Sequence, residues 1–148
     1  MSGYDLYGNT IINASLGVLL GGGRRNRIHA NRFVDCDYDI HMDNRGMSSS
    51  HASWATICSA NCSGPTCFQS KLEAVHYQQP PWSERFPELV NVFENHPCVP
   101  VNNDISDNTY CHTNSLNVSA ELGFINVNQT MVHSWLSSMS NNRWNCEM

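Results

Sequence analysis

The stretch Asn26–Gly46, NRIHANRFVDCDYDIHMDNRG, decides the fold of this chain. Its apolar residues alternate with polar ones, which is the pattern of short β-strands with one buried face. Asn31 falls between two of these strands, where the chain must bend. The alternation predicts that His29 and His41 point outward. The side chains predicted to point inward are those of Ile28, Ala30, Ile40 and Met42.

The same pattern occurs in two other places. Asn9–Leu20, NTIINASLGVLL, aligns without a gap with Asn31–Met42, NRFVDCDYDIHM, and the apolar and polar classes match at nearly every position. Asn103–Cys111 and Asn26–Val34 share the frame N-x-I-x-x-N-x-aromatic, although a much longer stretch of chain lies between them. Repeats that cannot bury their apolar face alone stack on one another, so the copies predict a stacked structure.

These repeats predict an all-β fold, a right-handed parallel β-helix of about three to four coils. Each coil would contribute three short strands that pair in parallel with the strands of the next coil. We expect Asn31 and Asn108 to take the left-handed conformation at a bend and to hydrogen-bond from coil to coil. A βαβ arrangement is the alternative, but the period from Asn9 to Asn31 is too short for a strand and a crossover helix.

The repeats also predict how the chain is organised. The four expected parts are β-helix coils at 1–46, an insertion with a Cys-rich loop and short helices at 47–100, a resumed coil at 101–127, and a C-terminal cap or disordered tail at 128–148. Within the insertion we expect a helix at Gln69–Tyr77, an extended Pro80–Trp82, and a helix from Pro87 to about Asn95. We expect the insertion to fold back against the side of the coils.

Composition excludes several classes of partner. The chain has 148 residues, a net charge of −5 and only 8 Lys and Arg residues. Nucleic acids and anionic membrane surfaces are therefore not expected as partners, since both require clustered basic residues. The uncharged run Ala14–Gly23 is interrupted by glycine and too short to span a bilayer. The N-terminal residues lack the basic and apolar regions of a signal peptide.

Cysteines and sequons indicate an extracellular origin. There are seven cysteines, and N-glycosylation sequons begin at Asn13, Asn61, Asn117 and Asn128. Together they predict a secreted glycoprotein. A secreted protein without a signal peptide is most simply explained if this chain is a C-terminal fragment of a longer one. Its partners would then include the upstream coils of that chain. The odd cysteine count leaves either a missing partner or one free thiol.

Four of the cysteines, Cys58, Cys62, Cys67 and Cys98, lie in or next to the predicted insertion. A zinc site is one interpretation, but the spacing C-x3-C-x4-C is not a familiar zinc motif. Disulfides within the insertion are the favoured interpretation, and the spacing does not fix their pairing.

Several motifs carry a resemblance to a known family. They are GGGRRNRI at 21–28, NRFVDC at 31–36, IHMDNRG at 40–46, YQQPPWSERFPEL at 77–89 and PVNN at 100–103. Over about residues 9–127 the chain resembles the C-terminal part of right-handed parallel β-helix proteins of the pectin-lyase-like superfamily. The resemblance implies an extracellular polysaccharide as the ligand, handled by a lyase, a hydrolase or an epimerase. It carries over no established catalytic residue.

The acidic residues at the end of the opening stretch are the candidates for catalysis. Asp39, Asp43 and Arg45 would lie on an outer groove, together with Asp35 and Asp37. Two carboxylates can act as acid and base in glycoside hydrolysis. They could instead bind Ca²⁺ and neutralise a uronate for β-elimination, and the resemblance then implies Arg45 as the base. The alternative is structural: the carboxylates bond turn main chain, and Asp43 pairs with Arg45.

Candidates for sugar binding lie mainly in the insertion. Tyr77 and Trp82 could stack on sugar rings, and Arg85 could clamp a carboxylate. The alternative is that this segment docks the insertion on the coils. His41, with His29, could line a groove as a base or a metal ligand.

The function predicted from the sequence is carbohydrate binding or processing, of the polysaccharide-lyase or glycoside-hydrolase type, on an extracellular polysaccharide. The alternative is a non-catalytic structural or adhesive glycosylated segment. No cofactor is expected, apart from Ca²⁺ as a possible ligand.

Overall fold

The computed structural model describes residues 2–43, 56–95, 97–111, 118–119, 136–144 and 146. Short strands, each followed by a bend, make up most of the secondary structure of this part of the chain. In order, the strands are β1 (Asp5–Tyr7), β2 (Thr10–Ile12), β3 (Val18–Gly21), β4 (Arg27–His29), β5 (Arg32–Val34), β6 (Ile40–Asp43), β7 (Asn103–Ser106), β8 (Thr109–Cys111), β9 (Val118–Ser119), β10 (Leu136–Ser140) and β11 (Arg143–Trp144).

The strands form three parallel sheets that the chain visits in turn. The first sheet has the order β1-β4-β7-β10, the second β11-β8-β5-β2 and the third β3-β6-β9. We call one passage through the sheets a round. The register confirms both sequence alignments, since Ile11 pairs with Phe33 and Ile28 pairs with Ile105. The prediction of a mainly β structure with parallel pairing between repeats is therefore confirmed.

Side chains that point between the sheets form the core. Ile28 and Ile105 are neighbours in the first sheet and are fully buried. In the second sheet the rings of Phe33 and Tyr110 stack with centroids 5.4 Å apart. In the third sheet, Met42 is buried as predicted. Because equivalent positions of successive rounds carry large apolar or aromatic side chains, each core position becomes a continuous column.

Ala30 is an exception to the predicted alternation. It is exposed, and its φ of 53° lies in the left-handed region. The expectation that Ala30 points inward is wrong, because the residue forms the corner between β4 and β5 and is not part of a strand.

Each round turns this corner in the same way. Left-handed φ angles occur at Gly8, Ala30, Asp107 and Asn141. Each of these residues comes directly before an asparagine, namely Asn9, Asn31, Asn108 and Asn142. The expected left-handed conformation therefore falls one residue earlier than predicted for Asn31 and Asn108. This placement leaves the asparagine side chains directed along the stack.

The four asparagines form a hydrogen-bonded ladder through the rounds. The Oδ1 atom of Asn31 accepts bonds from the main-chain N–H and the Nδ2 of Asn9, at 3.1 and 3.0 Å. Asn31 donates in the same way to Asn108, at 3.0 and 3.1 Å, and Asn108 donates to Asn142. The predicted bond between Asn31 and Asn108 is confirmed. Buried amides need such partners, and the ladder supplies them at every level.

A second asparagine pair lies one corner earlier. The main-chain N–H and the Nδ2 of Asn26 donate to the Oδ1 of Asn103, at 3.0 and 2.9 Å. Tyr4 stands at the equivalent position of the first round, and its N–H donates to the Oδ1 of Asn26 at 3.0 Å. Both asparagines are buried. Two corners of the round are thus fixed by side-chain amides.

The insertion contains short helices, as predicted, but with different bounds. The helices are α1 (Phe68–Glu73), α2 (Trp82–Arg85) and a 3₁₀ helix at Pro87–Leu89. The first ends before Tyr77, and the expectation of an extended Pro80–Trp82 is wrong because Trp82 begins α2. Among the described residues, none of the helices has the length and apolar character that a membrane crossing needs.

Disulfides join most of the cysteines. Cys58 pairs with Cys98 and Cys62 with Cys67, which confirms disulfides over a zinc site in the insertion. A third bond joins Cys111 to Cys146. Cys36 is the free and buried thiol.

The insertion folds back on the stack, as predicted. The Arg25 guanidinium pairs with the Glu88 carboxylate at 3.1 Å. Arg24 donates a hydrogen bond to the carbonyl of Asn95, and burial lowers the pKa of Arg24 while Glu88 partly offsets this. Gly22 has a φ of 71°, and a Cβ there would collide with the Cys98 carbonyl. The insertion therefore docks at the corner between β3 and β4.

The strands β10 and β11 extend the first and second sheets beyond the predicted coils. They pair with β7 and β8, and Trp144 is the register partner of Tyr110. The segment 136–144, which falls in the predicted cap or tail, thus contributes the strands of a fourth round.

Candidate functional site

The predicted catalytic residues do not form one surface cluster. Asp39 is 1% exposed, so its expected place on an outer groove is wrong. Burial, and secondarily the nearby Asp39 carboxylate, raise the pKa of the Tyr110 phenol. Asp39 is buried because it comes directly before β6, where the chain turns inward to Ile40.

The other acidic candidates lie at the surface or outside the described part. Asp35 and Asp37 are exposed next to a corner, where Asp35 has a φ of 49°. The main chain of Asp43 is paired with Gly21 at the end of β6. Arg45, and with it the predicted Asp43–Arg45 pair, falls outside the described residues. The catalytic roles of Asp43 and Arg45 stay predictions.

The aromatic residues of the insertion separate into two groups. Trp82 is 40% exposed and stacks on Phe86, with ring centroids 6.4 Å apart. The Arg85 guanidinium lies 5.7 Å from the centroid of the same Phe86 ring. A Cβ at Gly3 would collide with Phe86, so this group also docks the insertion against the first round. Trp82 and Arg85 therefore lie at the seam between insertion and stack.

Tyr77 belongs to the second group. It is buried and meets the Phe93 ring edge-on at 6.5 Å. Burial, followed by the charge of Glu73, raises its pKa. A buried ring cannot offer its face to a sugar, so the expectation that Tyr77 lines a sugar site with Trp82 is wrong.

The two predicted histidines lie on different sheets. His41, in β6 of the third sheet, is half-buried and meets Tyr38 edge-on at 6.3 Å. His29 lies in β4 of the first sheet. The structure therefore does not bring them together as a shared base or metal site.

A site that the sequence analysis did not single out lies on the outer side of the first sheet. Arg27 sits between two carboxylates: its Nη1 is 3.6 Å from Asp5 Oδ2, and its Nε is 3.6 Å from Asp104 Oδ2. Ser138, on the next strand, donates a hydrogen bond to the Oδ1 of Asp104. Because β1, β4, β7 and β10 are neighbours, one outward position of each round forms this row of charges.

Beside the charged row lies an aromatic pair. Tyr7 is 63% exposed, and its ring stacks on the His29 ring with a centroid separation of 5.3 Å and an interplanar angle of 16°. The Nε2 of His29 lies 2.8 Å from Asp5 Oδ1. Asp5 thus contacts both Arg27 and His29, and it fixes the histidine ring on which Tyr7 rests. We call the charged row and this pair, formed by Asp5, Tyr7, Arg27, His29, Asp104 and Ser138, the Arg27 face.

A surface cavity of about 440 Å³ opens at one side of this face. Arg25 forms its rim and connects it to the insertion through Glu88. The other residues that line the cavity are Arg27, Asn102, Asp104 and Ser138. Guanidinium N–H groups can donate to hydroxyl or carboxylate oxygens there, and the carboxylates can accept from hydroxyls.

The described residues contain no group of three or more His, Cys, Asp or Glu side chains placed to hold a metal ion. Of the four carboxylates predicted as Ca²⁺ ligands, Asp39 is buried, Asp35 and Asp37 are exposed, and the side chain of Asp43 lies outside the described part of the chain. Ca²⁺ binding stays a prediction for the segment that includes Asp43.

A signal for the Arg27 face was present in the sequence. In the first sheet, a polar and outward-facing residue comes directly before the core residue of each round. In the first three rounds this residue is Asp5, Arg27 and Asp104 in turn. Alternating acid and base at one outward position of stacked strands predicts an ion-paired row.

Comparisons of the chain with protein families, with curated proteins and with solved structures found no match.

Proposed function

We propose that the chain is a segment of a right-handed parallel β-helix that binds an extracellular polysaccharide through the Arg27 face. Strands that return to three parallel sheets in a constant order support the architecture. The three disulfides, the exposed sequon residues Asn13 and Asn61, and the low charge support an extracellular setting.

The observation that carries the proposal is Tyr7. A large aromatic ring that is 63% exposed lies flat on His29, so one of its faces is supported and the other is open. Such a ring offers apolar area to the C–H face of a sugar and loses little rotamer freedom on binding. The flanking carboxylates and Arg27 supply acceptors and donors for sugar hydroxyls within one strand spacing of the ring.

Arg27 is the group of this face that can recognise an acidic sugar, beside the carboxylates of Asp5 and Asp104. Arg27 has donors that remain free to turn outward, because each of its two contacts to a carboxylate is a single one at 3.6 Å. A uronate carboxylate can pair with a guanidinium through two parallel bonds, which is stronger than either single contact. Cleavage by Asp43 and Arg45 is a separate part of the proposal, because Asp43 ends β6 of the third sheet whereas the Arg27 face lies on the first.

Binding is tested with polygalacturonate, alginate and xylan, by calorimetry or affinity electrophoresis. Tyr7→Ala should weaken binding of the recognised polysaccharide about three- to tenfold, the effect of losing one aromatic contact. Ile12→Ala is the matched control, because Ile12 is 62% exposed on the outer side of the second sheet. Absence of binding to all three polymers, or equal weakening by the two variants, would contradict the proposal.

The charged row is tested separately. Arg27→Gln keeps hydrogen-bond donors and removes the charge, so it should weaken binding to the two uronate polymers more than binding to xylan. Cleavage is followed in the same samples by the ultraviolet absorbance of unsaturated uronates and by new reducing ends. Binding without either signal would leave a sugar-binding segment with no lyase or hydrolase activity.

A structural or adhesive segment is the second candidate, and the same row favours it. Arg27 is paired on both sides. In this alternative, the ion pairs between successive rounds fix the register of the strands and bind no ligand. This alternative predicts that Arg27→Gln lowers the free energy of unfolding and changes no affinity for a polysaccharide.

A further inference from the structure

A single carboxylate connects the histidine and the arginine of the Arg27 face. The Oδ1 of Asp5 lies 2.8 Å from the Nε2 of His29, and its Oδ2 lies 3.6 Å from the Nη1 of Arg27. The contact to His29 therefore has the length of a hydrogen bond, whereas the contact to Arg27 is a longer ion pair. Because one carboxylate serves both groups, the charge of His29 decides how strongly Asp5 holds Arg27.

His29 can gain a proton without losing its contact to Asp5. An ionised carboxylate only accepts hydrogen bonds, so the Nε2 of His29 carries a hydrogen in the neutral ring as well as in the charged one. The additional proton therefore binds at Nδ1, for which the described part of the chain supplies no hydrogen-bond partner. The side chain is 22% exposed, so water reaches it. Histidine is the side chain that ordinarily changes its charge between about pH 5 and 8.

The charges around His29 come from its own strand and from the strands on both sides. The titratable and charged groups of these strands and of the exposed corner after β7 are Asp5, Tyr7, Arg27, Asp104 and Asp107. Within the Arg27 face, two carboxylates stand against one guanidinium, so the face carries one excess negative charge while His29 is neutral. A proton on His29 removes this excess. Arg25, at the rim of the adjoining cavity, adds no net charge because it is paired with Glu88.

We propose that protonation of His29 opens the Arg27 face to acidic sugars, so that uronate polymers bind more tightly at mildly acidic pH than at slightly alkaline pH. The inference rests on the polysaccharide binding proposed above and names its regulation. When the imidazolium pairs with Asp5, the guanidinium of Arg27 is released from that carboxylate and turns to a uronate, with which it forms two parallel bonds. His29 acts through Asp5 on Arg27, so it is a positioning residue.

The direction of the effect follows from the charges. The proton adds a positive charge to the face and the ligand is negative, so the bound proton and the bound ligand favour each other. The affinity for a uronate polymer therefore rises as the pH falls through the titration of His29. Carboxylates ordinarily keep their charge above about pH 5, so the ligand stays charged over this range. Xylan offers no uronate to Arg27, and its affinity should not change with pH.

Calorimetry or affinity electrophoresis with polygalacturonate, alginate and xylan tests this at about pH 5.5 and about pH 7.5, at one ionic strength. The native chain should bind the two uronate polymers about three- to tenfold more tightly at the lower pH, the effect of one added charge near the ligand. His29→Gln should bind them at both pH values as the native chain does at the higher one. His29→Arg carries a permanent charge, so it should bind them at both pH values as the native chain does at the lower one.

His76→Gln is the control, because His76 is an exposed histidine of the insertion and lies outside the first sheet. It should keep the full pH dependence, and far-ultraviolet circular dichroism at both pH values checks that each variant folds. Equal affinity of the native chain for the uronate polymers at the two pH values would overturn the inference and leave sugar binding intact. An undiminished pH dependence in His29→Gln would do the same. Absence of binding to all three polymers at both pH values would overturn the proposed function and the inference together.

Discussion

At the scale of single residues, the corner asparagines matter most for this fold. Asn31 and Asn108 each bond the round before and the round after, and Asn31 also donates to the Leu6 carbonyl at 2.9 Å. An amide that satisfies several buried groups is costly to remove, because its former partners stay buried without a bond.

Asn31→Ala should therefore lower the free energy of unfolding by about 2 to 3 kcal/mol, because it leaves the main-chain N–H of Asn9 without an acceptor and removes the side-chain bonds to Asn108 and to the Leu6 carbonyl. Asn9→Ala is the matched control at the exposed end of the same ladder, where the cost should be about 0.5 kcal/mol. Urea unfolding followed by circular dichroism measures both. Equal costs for the two variants would show that the ladder contributes little.

Sequence patterns predicted the residues of the ladder but not the backbone of the corner. Asn31 and Asn108 stood out because they recur in a shared frame. Ala30 and Arg25 have left-handed φ angles that neither residue type favours. The corner imposes that conformation on whichever residue comes before the asparagine, so it follows from the stack and not from local preference. Asp39 was misplaced for a related reason, because its burial depends on the turn into β6.

At the scale of elements, one long-range disulfide closes most of the insertion into a loop. Cys58 and Cys98 are 40 residues apart in sequence, whereas Cys62 and Cys67 are 5 apart. Closing a long loop restricts the unfolded chain more than closing a short one. The two bonds should therefore differ in their contribution to stability, although both lie in the same insertion.

Replacing Cys58 and Cys98 together by alanine should cost about 4 kcal/mol, and replacing Cys62 and Cys67 together about 2 kcal/mol, if restriction of the unfolded chain dominates. Thermal or urea unfolding of the two double variants measures the difference, and each serves as the control for the other. A larger loss for the Cys62–Cys67 variant would mean that strain or local packing decides the outcome.

The fourth round shows what a search for repeats misses. Met139-x-x-Asn142-x-Trp144 has the frame of Ile105-x-x-Asn108-x-Tyr110, but it follows that copy at an offset of 34, whereas Asn31 follows Asn9 at an offset of 22. Serine and asparagine surround it, which makes the segment resemble an unstructured tail by composition. The frame decides the structure because a neighbouring round supplies the missing strand partner and the apolar surface. The Arg27 face was missed because its residues come from different rounds and carry no local motif.

At the scale of the whole molecule, the stack is nearly one-dimensional, since each round contacts mainly its neighbours. Strands β4, β5 and β6 have hydrogen-bonded partners on both sides, whereas β1, β2 and β3 have one. In such a structure the ends open first, and stability is highest in the middle.

Amide hydrogen exchange should therefore be slowest in β4, β5 and β6 and faster in β1 to β3. Mass spectrometry of peptides from dilute protein measures this. Exchange in β1 as slow as in β4 under dilute conditions would contradict a stack that opens from its ends.

The insertion between β6 and β7 has a consequence for how this chain could be re-engineered or could diversify. Ile28 and Ile105 remain register partners although the whole insertion lies between them in the sequence. The entropy of closing a loop rises only slowly with its length. The segment between β6 and β7 can therefore change in length and sequence while the two rounds beside it keep the same pairing. New binding loops could be grafted there without redesigning the rounds.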